Sequence, residues 1–278
     1  MHFLPELQGG NAFEERRNGT FMTIRKAIIL SAGKGSRLLP LTAQRPKCLI
    51  RLAGRSLLDW QLDVLGGAGI EDIVVVTGFA DHLVDAVTAK RPGVRTFFNP
   101  FYHVADNLGS VWMAREEFDQ DTLLLNGDTL VSDRLLQRVL AADTGPIAVT
   151  VDEKDDYDSD DMKVLRDGDS LLRIGKALEP GQYNAESIGL LAFRGEGPRL
   201  FIDQVDAMLR APDGTRRWYL RAIDELARTG VDVRTVSIRG EEWQEVDYPA
   251  DVEKAEALTA CWANRFEASR PARRSARR

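Results

Sequence analysis

Two cations stand ten residues apart behind a loop of small residues: Arg37 and Lys47, after Ser31-Ala32-Gly33-Lys34-Gly35-Ser36. Glycine lets backbone N–H groups close around a phosphate chain. The two fixed charges fall where a triphosphate would lie. Just upstream, the apolar run 27–30 reads as a buried strand. Strand, glycine loop and paired cations together point to a nucleoside triphosphate site. Two better-known glycine loops do not fit. Leu38 stands where a dinucleotide fingerprint has its third glycine, and no Gly-Lys-Ser/Thr sequence ends the loop as in a P-loop. A nicotinamide-dependent oxidoreductase is weakened further by Arg51 and Arg55, which make basic the region where an acidic ribose ligand belongs.

The carboxylates that could serve such a site lie far away in sequence. Asn126-Gly127-Asp128-Thr129 ends the apolar run 121–126. Alone, Gly127-Asp128 would be an ordinary turn. At the carboxyl end of a strand in an open α/β sheet, Asp128 can bind Mg²⁺, which takes carboxylate and phosphate oxygens. A second candidate is Asp247 in Glu245-Val246-Asp247-Tyr248-Pro249. It reads as part of a helix start, as a second Mg²⁺ ligand, or as both.

The elements that must position these residues alternate from about residue 25 to 152. A helix is expected over 56–69, with strands at 72–77, 96–99, 121–126 and 147–151. That spacing implies a mainly parallel sheet with helices on both faces. After residue 152 a dense acidic stretch surrounds Tyr157 and reads as a solvated loop. Short strands at 162–165, 171–174 and 187–193 suggest an antiparallel insertion. Helices at 197–210 and 217–228, strands at 232–238 and 243–246, and a helix over 250–266 follow. The expectation is one α/β domain, 23–266, with an inserted antiparallel lobe over the C-terminal edge of its sheet. Residues 1–22 read as an extension before Met22, an alternative start, and 267–278 as a disordered, Arg-rich tail.

Composition sets the outer limits. The chain of 278 residues is 44% hydrophobic and 29% charged, an ordinary soluble globular balance. No apolar run approaches membrane-spanning length. A net charge of −6 argues against broad nucleic-acid binding. Cys48 and Cys261 lie far apart without metal-ligand spacing, which fits free thiols and a cytoplasmic protein. Oligomerisation stays open.

The blocks SAGKGSRLLPLTAQRPKCL, NGD and EVD resemble the nucleotidyltransferases that activate sugar phosphates and phospho-alcohols. The resemblance spans about residues 25–260 and is greatest to small cytidylyltransferases of the phosphocholine cytidylyltransferase type. Related members act on inositol phosphate or phosphonates. It implies a Rossmann-like three-layer fold, and transfer of a nucleotidyl group from a triphosphate, here CTP, to a small phosphorylated or phosphonate acceptor with release of pyrophosphate. Ser31, Ala32, Gly33, Lys34, Gly35 and Ser36 would hold the nucleotide, with Arg37 on the outgoing pyrophosphate and Lys47 at the α-phosphate. Gly78 would lie against the base, and Asn107 and Ser110 would border nucleotide and acceptor. Asp128 and Asp247 would bind Mg²⁺. Lys163 and Lys176 would hold the acceptor phosphate, and Glu186 would read an acceptor hydroxyl or amine; Lys176 reads equally as a solvated strand residue, and Glu186 as a surface carboxylate. The chain departs from the family pattern at Asp106, where Asn is common, and at Gly109, where a larger residue is common. A sugar-1-phosphate uridylyl-, thymidylyl- or guanylyltransferase is the alternative within the class. A catalytically silent regulatory subunit is the alternative outside it. Retention of Arg37, Lys47, Asp128 and Asp247 together favours an active enzyme.

Overall fold

The computed structural model describes residues 24–269. The expected extension 1–22, with Met22, lies outside them, as does the expected tail 267–278 beyond Ser269, while residues 267–269 of that tail are the end of the last helix. In chain order, β1 (Lys26–Leu30) leads through the glycine loop to a small hairpin, β2 (Arg51–Leu52) and β3 (Arg55–Ser56). Then come α1 (Leu57–Gly67), β4 (Asp72–Thr77), α2 (Asp81–Thr88), β5 (Val94–Phe98), α3 (Asn107–Met113) and β6 (Thr122–Asn126). A three-residue strand, β7 (Thr129–Val131), precedes α4 (Asp133–Ala141) and β8 (Ile147–Asp152). β9 (Lys163–Asp167), β10 (Ser170–Ile174) and β11 (Ala185–Phe193) form the insertion. The chain closes with α5 (Gly197–Leu209), α6 (Leu220–Arg228), β12 (Val233–Ser237), β13 (Trp243–Glu245) and α7 (Pro249–Ser269).

Nine strands form one mixed sheet in the order β5-β4-β1-β6-β11-β8-β12-β10-β9. β5, β4, β1 and β6 run parallel, joined by helical crossovers. Side chains alternate along β1, so Ile28 enters one core while Ala27 and Ile29 enter the other. The first core packs under α3, α5 and α6, the second under α1 and α4. These are the three layers that the sequence implied. Ser56 and Ser132 cap α1 and α4 by accepting from the amides of Asp59 and Leu135, 3.0 and 3.2 Å away.

β11 is antiparallel to both its neighbours, β6 and β8. The antiparallel insertion is continuous with the main sheet. β9 pairs with β10 and also with the start of β11, while β10 pairs with β12. The strands β8, β12, β10, β9 and β11 thereby close a ring. β11 can serve both halves because its register against β8 shifts between Ser187 and Leu191. Gly189 sits in that shift at φ +75°, and a Cβ there would collide with Asn126. No helix among the described residues is long and apolar enough to cross a membrane.

A third core joins the glycine loop to the far end of the chain. Leu38, Ile50, Leu52, Trp60, Leu130, Val246 and Trp262 pack together from distant segments. β7 was not expected from sequence, because three residues are too short to show a period. Gly127, just before it, lets the ends of β6 and β1 meet: its amide donates to the Leu30 carbonyl at 2.9 Å. A Cβ at Gly127 would strike both that carbonyl and Ser31 Oγ. Gly127→Ala is therefore expected to lower stability by about 1–3 kcal/mol, the usual range for overpacking. Urea unfolding measures this, and an unchanged midpoint would refute the close approach.

Candidate functional site

The site begins with a short ladder. β7 and β13 pair antiparallel, Thr129 opposite Glu245. The Val246 amide continues the ladder by donating to the Asp128 carbonyl at 3.0 Å. Two aspartates more than a hundred residues apart thus emerge side by side. Each strand end is fixed separately. Gln61, buried in α1, donates to the carbonyls of Asn126 and Thr129, both at 2.8 Å. Asp251, in the first turn of α7, accepts from the amides of Asp247 and Tyr248 at 3.2 and 2.9 Å. The helix-start reading of this segment holds, with Asp251 as the acceptor.

The two cations arrive from the glycine loop. Lys47 Nζ lies 2.8 Å from Asp128 Oδ2 and also bonds Asp247 Oδ1. Arg37 donates to Asp247 Oδ2 at 3.2 Å. Gly35 makes this possible. It takes φ +74°, and a Cβ on it would lie 2.8 Å from Lys47 Cβ. Thr42 locks the turn by donating to the Gly35 carbonyl at 2.7 Å. Gly33, by contrast, borders open space: a Cβ there would meet nothing within 4 Å. Ser31 starts the loop with its amide on the Val76 carbonyl, and its buried hydroxyl finds no hydrogen-bond partner among the described residues. Ala32 accepts from the Phe79 amide at 3.1 Å. Lys34 leans over the Phe79 ring, and Ser36 opens the one-turn helix that carries Arg37.

Charge explains the arrangement. Burial opposes the Lys47 ammonium, but Asp128 and Asp247 outweigh it and hold the group above the usual lysine range. Glu245 is a third carboxylate, and oxygens of Asp128, Glu245 and Asp247 all lie within 4.8 Å of one another. Glu245 is open to solvent, and the neighbouring Asp128 and Asp247 carboxylates raise it above the ordinary carboxylate range by repulsion. Sequence reasoning gave Glu245 no role. The period of two along a strand places it with Asp247 and was the available signal. Three hard oxygen donors gathered this closely fit Mg²⁺.

Across the cleft, Lys163, Lys176 and Glu186 surround the loop that follows β8. Lys163, buried, donates to the Asp158 carbonyl at 2.5 Å. Lys176 lies over the Trp218 ring, 4.5 Å from its centroid. Glu186 is buried rather than on the surface. Lys154 bridges it to Asp161, at 2.9 and 2.8 Å, beside Tyr157 and Tyr183, whose rings meet edge to face at 5.0 Å. Burial pushes Glu186 up to about 7 against the pull of Lys154. The acidic stretch is a loop, as expected, but one tied down by these pairs. Lys154, Asp160, Asp161 and Tyr248 were missed because loop contacts carry no periodic signal.

Three predicted residues already have partners in the fold. Ser110 Oγ accepts from buried Asn99 at 3.0 Å. Asn107 Oδ1 accepts from the Tyr219 amide at 3.0 Å. Gly78 passes under Ala32 and Tyr102, where a Cβ would lie 2.6 Å from the Ala32 carbonyl. Each thus has a packing reason for its residue type.

Residues 27–160 match the family model of the MobA-like NTP transferase domain. The chain is 33% identical over 250 residues to CMP-5'-(3-aminopropyl)phosphonate synthase of Streptomyces rubellomurinus, covering 83% of this chain and 38% of that protein. It is 32% identical over 119 residues to choline-phosphate cytidylyltransferase of Streptococcus pneumoniae, covering 43% of this chain and 51% of that one. The matches thus span about half or less of those two relatives. Among solved structures, the inositol-1-phosphate CTP transferase from T. maritima superposes with a TM-score of 0.72 at 23% identity, over 86% of this chain and 96% of that one. That likeness is one of fold.

The Glu186 shift has a direction in pH. Between its ordinary 4.5 and about 7, the folded chain keeps a proton that the unfolded chain has lost. Stability contributed by this group therefore falls as pH rises through that window. Glu186→Gln removes the fall, and its stability relative to wild type should rise by about 3 kcal/mol across the window. Denaturant unfolding on either side of the window checks this; a pH-independent difference sinks the assignment.

Proposed function

From the match of residues 27–160 to the MobA-like NTP transferase domain, we propose a Mg²⁺-dependent cytidylyltransferase that joins CTP to a small phospho-alcohol or phosphonate and releases pyrophosphate. The observation that carries it is Lys47 held between Asp128 and Asp247 at the mouth of the glycine loop. A nucleotide, a metal and an anionic acceptor all need charge at that point. The choice of CTP is supported by the two relatives, both named for cytidylyl chemistry.

The chemistry follows from the charges. An acceptor oxygen on phosphorus is already ionised near neutral pH, so it needs no general base. It attacks the α-phosphorus of the triphosphate in line; the new P–O bond forms as the bond to the β-phosphate bridge breaks, and pyrophosphate leaves with its electron pair. Two anions must be brought together, so the work is positioning and electrostatic stabilisation. Lys47 balances charge at the α-phosphate. Arg37, half exposed at the cleft mouth, meets the leaving pyrophosphate. The backbone of Ala32 to Ser36 wraps the phosphate chain. Asp128, Asp247 and Glu245 would hold Mg²⁺, which when bound neutralises triphosphate oxygens. Lys163 and Lys176 serve the acceptor's oxyanion, and Glu186 its other end. Gly78, Asn107 and Ser110 shape the walls between base and acceptor.

The direct test is pyrophosphate release with Mg²⁺, crossing CTP, UTP, dTTP, GTP and ATP with phosphocholine, phosphoethanolamine, inositol phosphate, simple phosphonates and hexose 1-phosphates. Release with CTP and a phospho-alcohol or phosphonate is expected. Release only with another triphosphate and a hexose 1-phosphate would move the chain to the sugar branch. Lys47→Ala should lower kcat by about two to three orders of magnitude with the fold intact; near-normal turnover removes its role. Asp247→Asn should raise the Mg²⁺ concentration needed for half-maximal rate, and an unmoved titration counts against that ligand.

A further inference from the structure

One carboxylate draws together groups from both sides of the cleft. Asp160 accepts a hydrogen bond from the Tyr248 hydroxyl. It also stands 4.0 Å from Arg37 and 3.9 Å from Lys176. These partners come from the turn after β1, the turn after β10 and the residue before α7. Two of them are cations already assigned to anionic substrates. Both stop at ion-pair distance, beyond the 2.7–3.2 Å of a hydrogen bond. Both converge on the same oxygen, Oδ1, and a phosphate dianion offers three such oxygens and twice the charge at that point.

The turn that carries Asp160 is held from within. Asp158 Oδ1 accepts from the amides of Asp160 and Asp161 at 2.7 and 3.0 Å, which makes a tight turn of 158–161. Lys163 holds the Asp158 carbonyl from below. At the other end of the loop the charges are reversed. Lys154 places its ammonium against buried Glu186 and against Asp161. One segment thus puts an anion among the cations of the cleft and a cation against its buried carboxylate.

Building on the acceptor reading above, we propose that the 153–162 loop is a tethered occupant of the acceptor cleft, with Asp160 standing in for the acceptor's phosphorus oxyanion and leaving when that group arrives. Asp160 and a phosphate dianion cannot share Arg37 and Lys176 without mutual repulsion, so binding and loop release are one event. The loop keeps opposing cations neutralised while the cleft is empty, and it competes with weak anions for entry.

Inorganic phosphate is the probe, titrated onto the full chain by calorimetry, with amide hydrogen exchange followed over 153–162. Asp160→Asn should bind phosphate about tenfold more tightly than wild type, the scale of two exposed ion pairs. Adding Lys176→Gln to that variant should cancel most of the gain. Tyr248→Phe, which removes only the hydroxyl hold, should give a smaller gain in the same direction. In wild type, phosphate should speed exchange in the loop. Equal or weaker phosphate binding by Asp160→Asn overturns the proposal, as does slower exchange, which would mean that the loop closes over the anion. Phosphate binding needs no turnover. An inactive protein whose Asp160→Asn variant gains phosphate affinity would refute the transferase reading alone, and an active one without that gain would refute the occupant alone.

Discussion

An ammonium lodged between two carboxylates is the interaction on which the working end of this molecule depends. Three acidic oxygens within 4.8 Å repel strongly; at an effective dielectric of about 20, each unit pair at 4 Å costs about 4 kcal/mol. Lys47 makes that crowding tolerable, and nearly every local feature serves its position. Gly35 clears the space beside its stem. The third core ties its loop to β7, β13 and α7. The β7–β13 ladder delivers both carboxylates at once, so neither can drift without breaking backbone hydrogen bonds.

The two sides of the cleft are held by different forces. On the glycine-loop side, backbone hydrogen bonds and buried apolar side chains fix the geometry, from Ser31 on Val76 to Gln61 on Asn126 and Thr129. On the facing side, ion pairs and aromatic edges hold the chain: Lys154 with Glu186, Lys176 over Trp218, Tyr157 against Tyr183. Packing of the first kind is stiff. Ion pairs on this side that reach the surface, as Lys176 with Asp160 does, are individually weak and open to exchange with an arriving charge.

This contrast also decides what could be read from the chain. The strand, loop and cations of 26–47 were legible because burial, glycine and charge each leave a local mark. So were Asp128 and Asp247, each at the end of a strand-like run. That they meet was not legible, since β7 has only three residues and its partner lies over a hundred residues on. Glu245 went unassigned although strand alternation pointed to it. Asn107 and Ser110 were singled out, yet the structure also gives them partners in Tyr219 and Asn99, and such side-chain pins have no spacing rule. The contacts of 153–162 were hidden because a loop's partners come from tertiary structure alone.

The register shift in β11 has an evolutionary consequence. Upstream of Gly189 the strand pairs with β9, Glu186 opposite Lys163, while downstream it pairs with β6 beside the glycine loop. The shift decouples the two stretches, so a change of residue near Glu186 does not propagate along the ladder to Leu190–Phe193. A lineage can therefore vary the residues around Glu186 while keeping the strand's pairing beside the glycine loop, and Gly189 marks the seam between the two stretches.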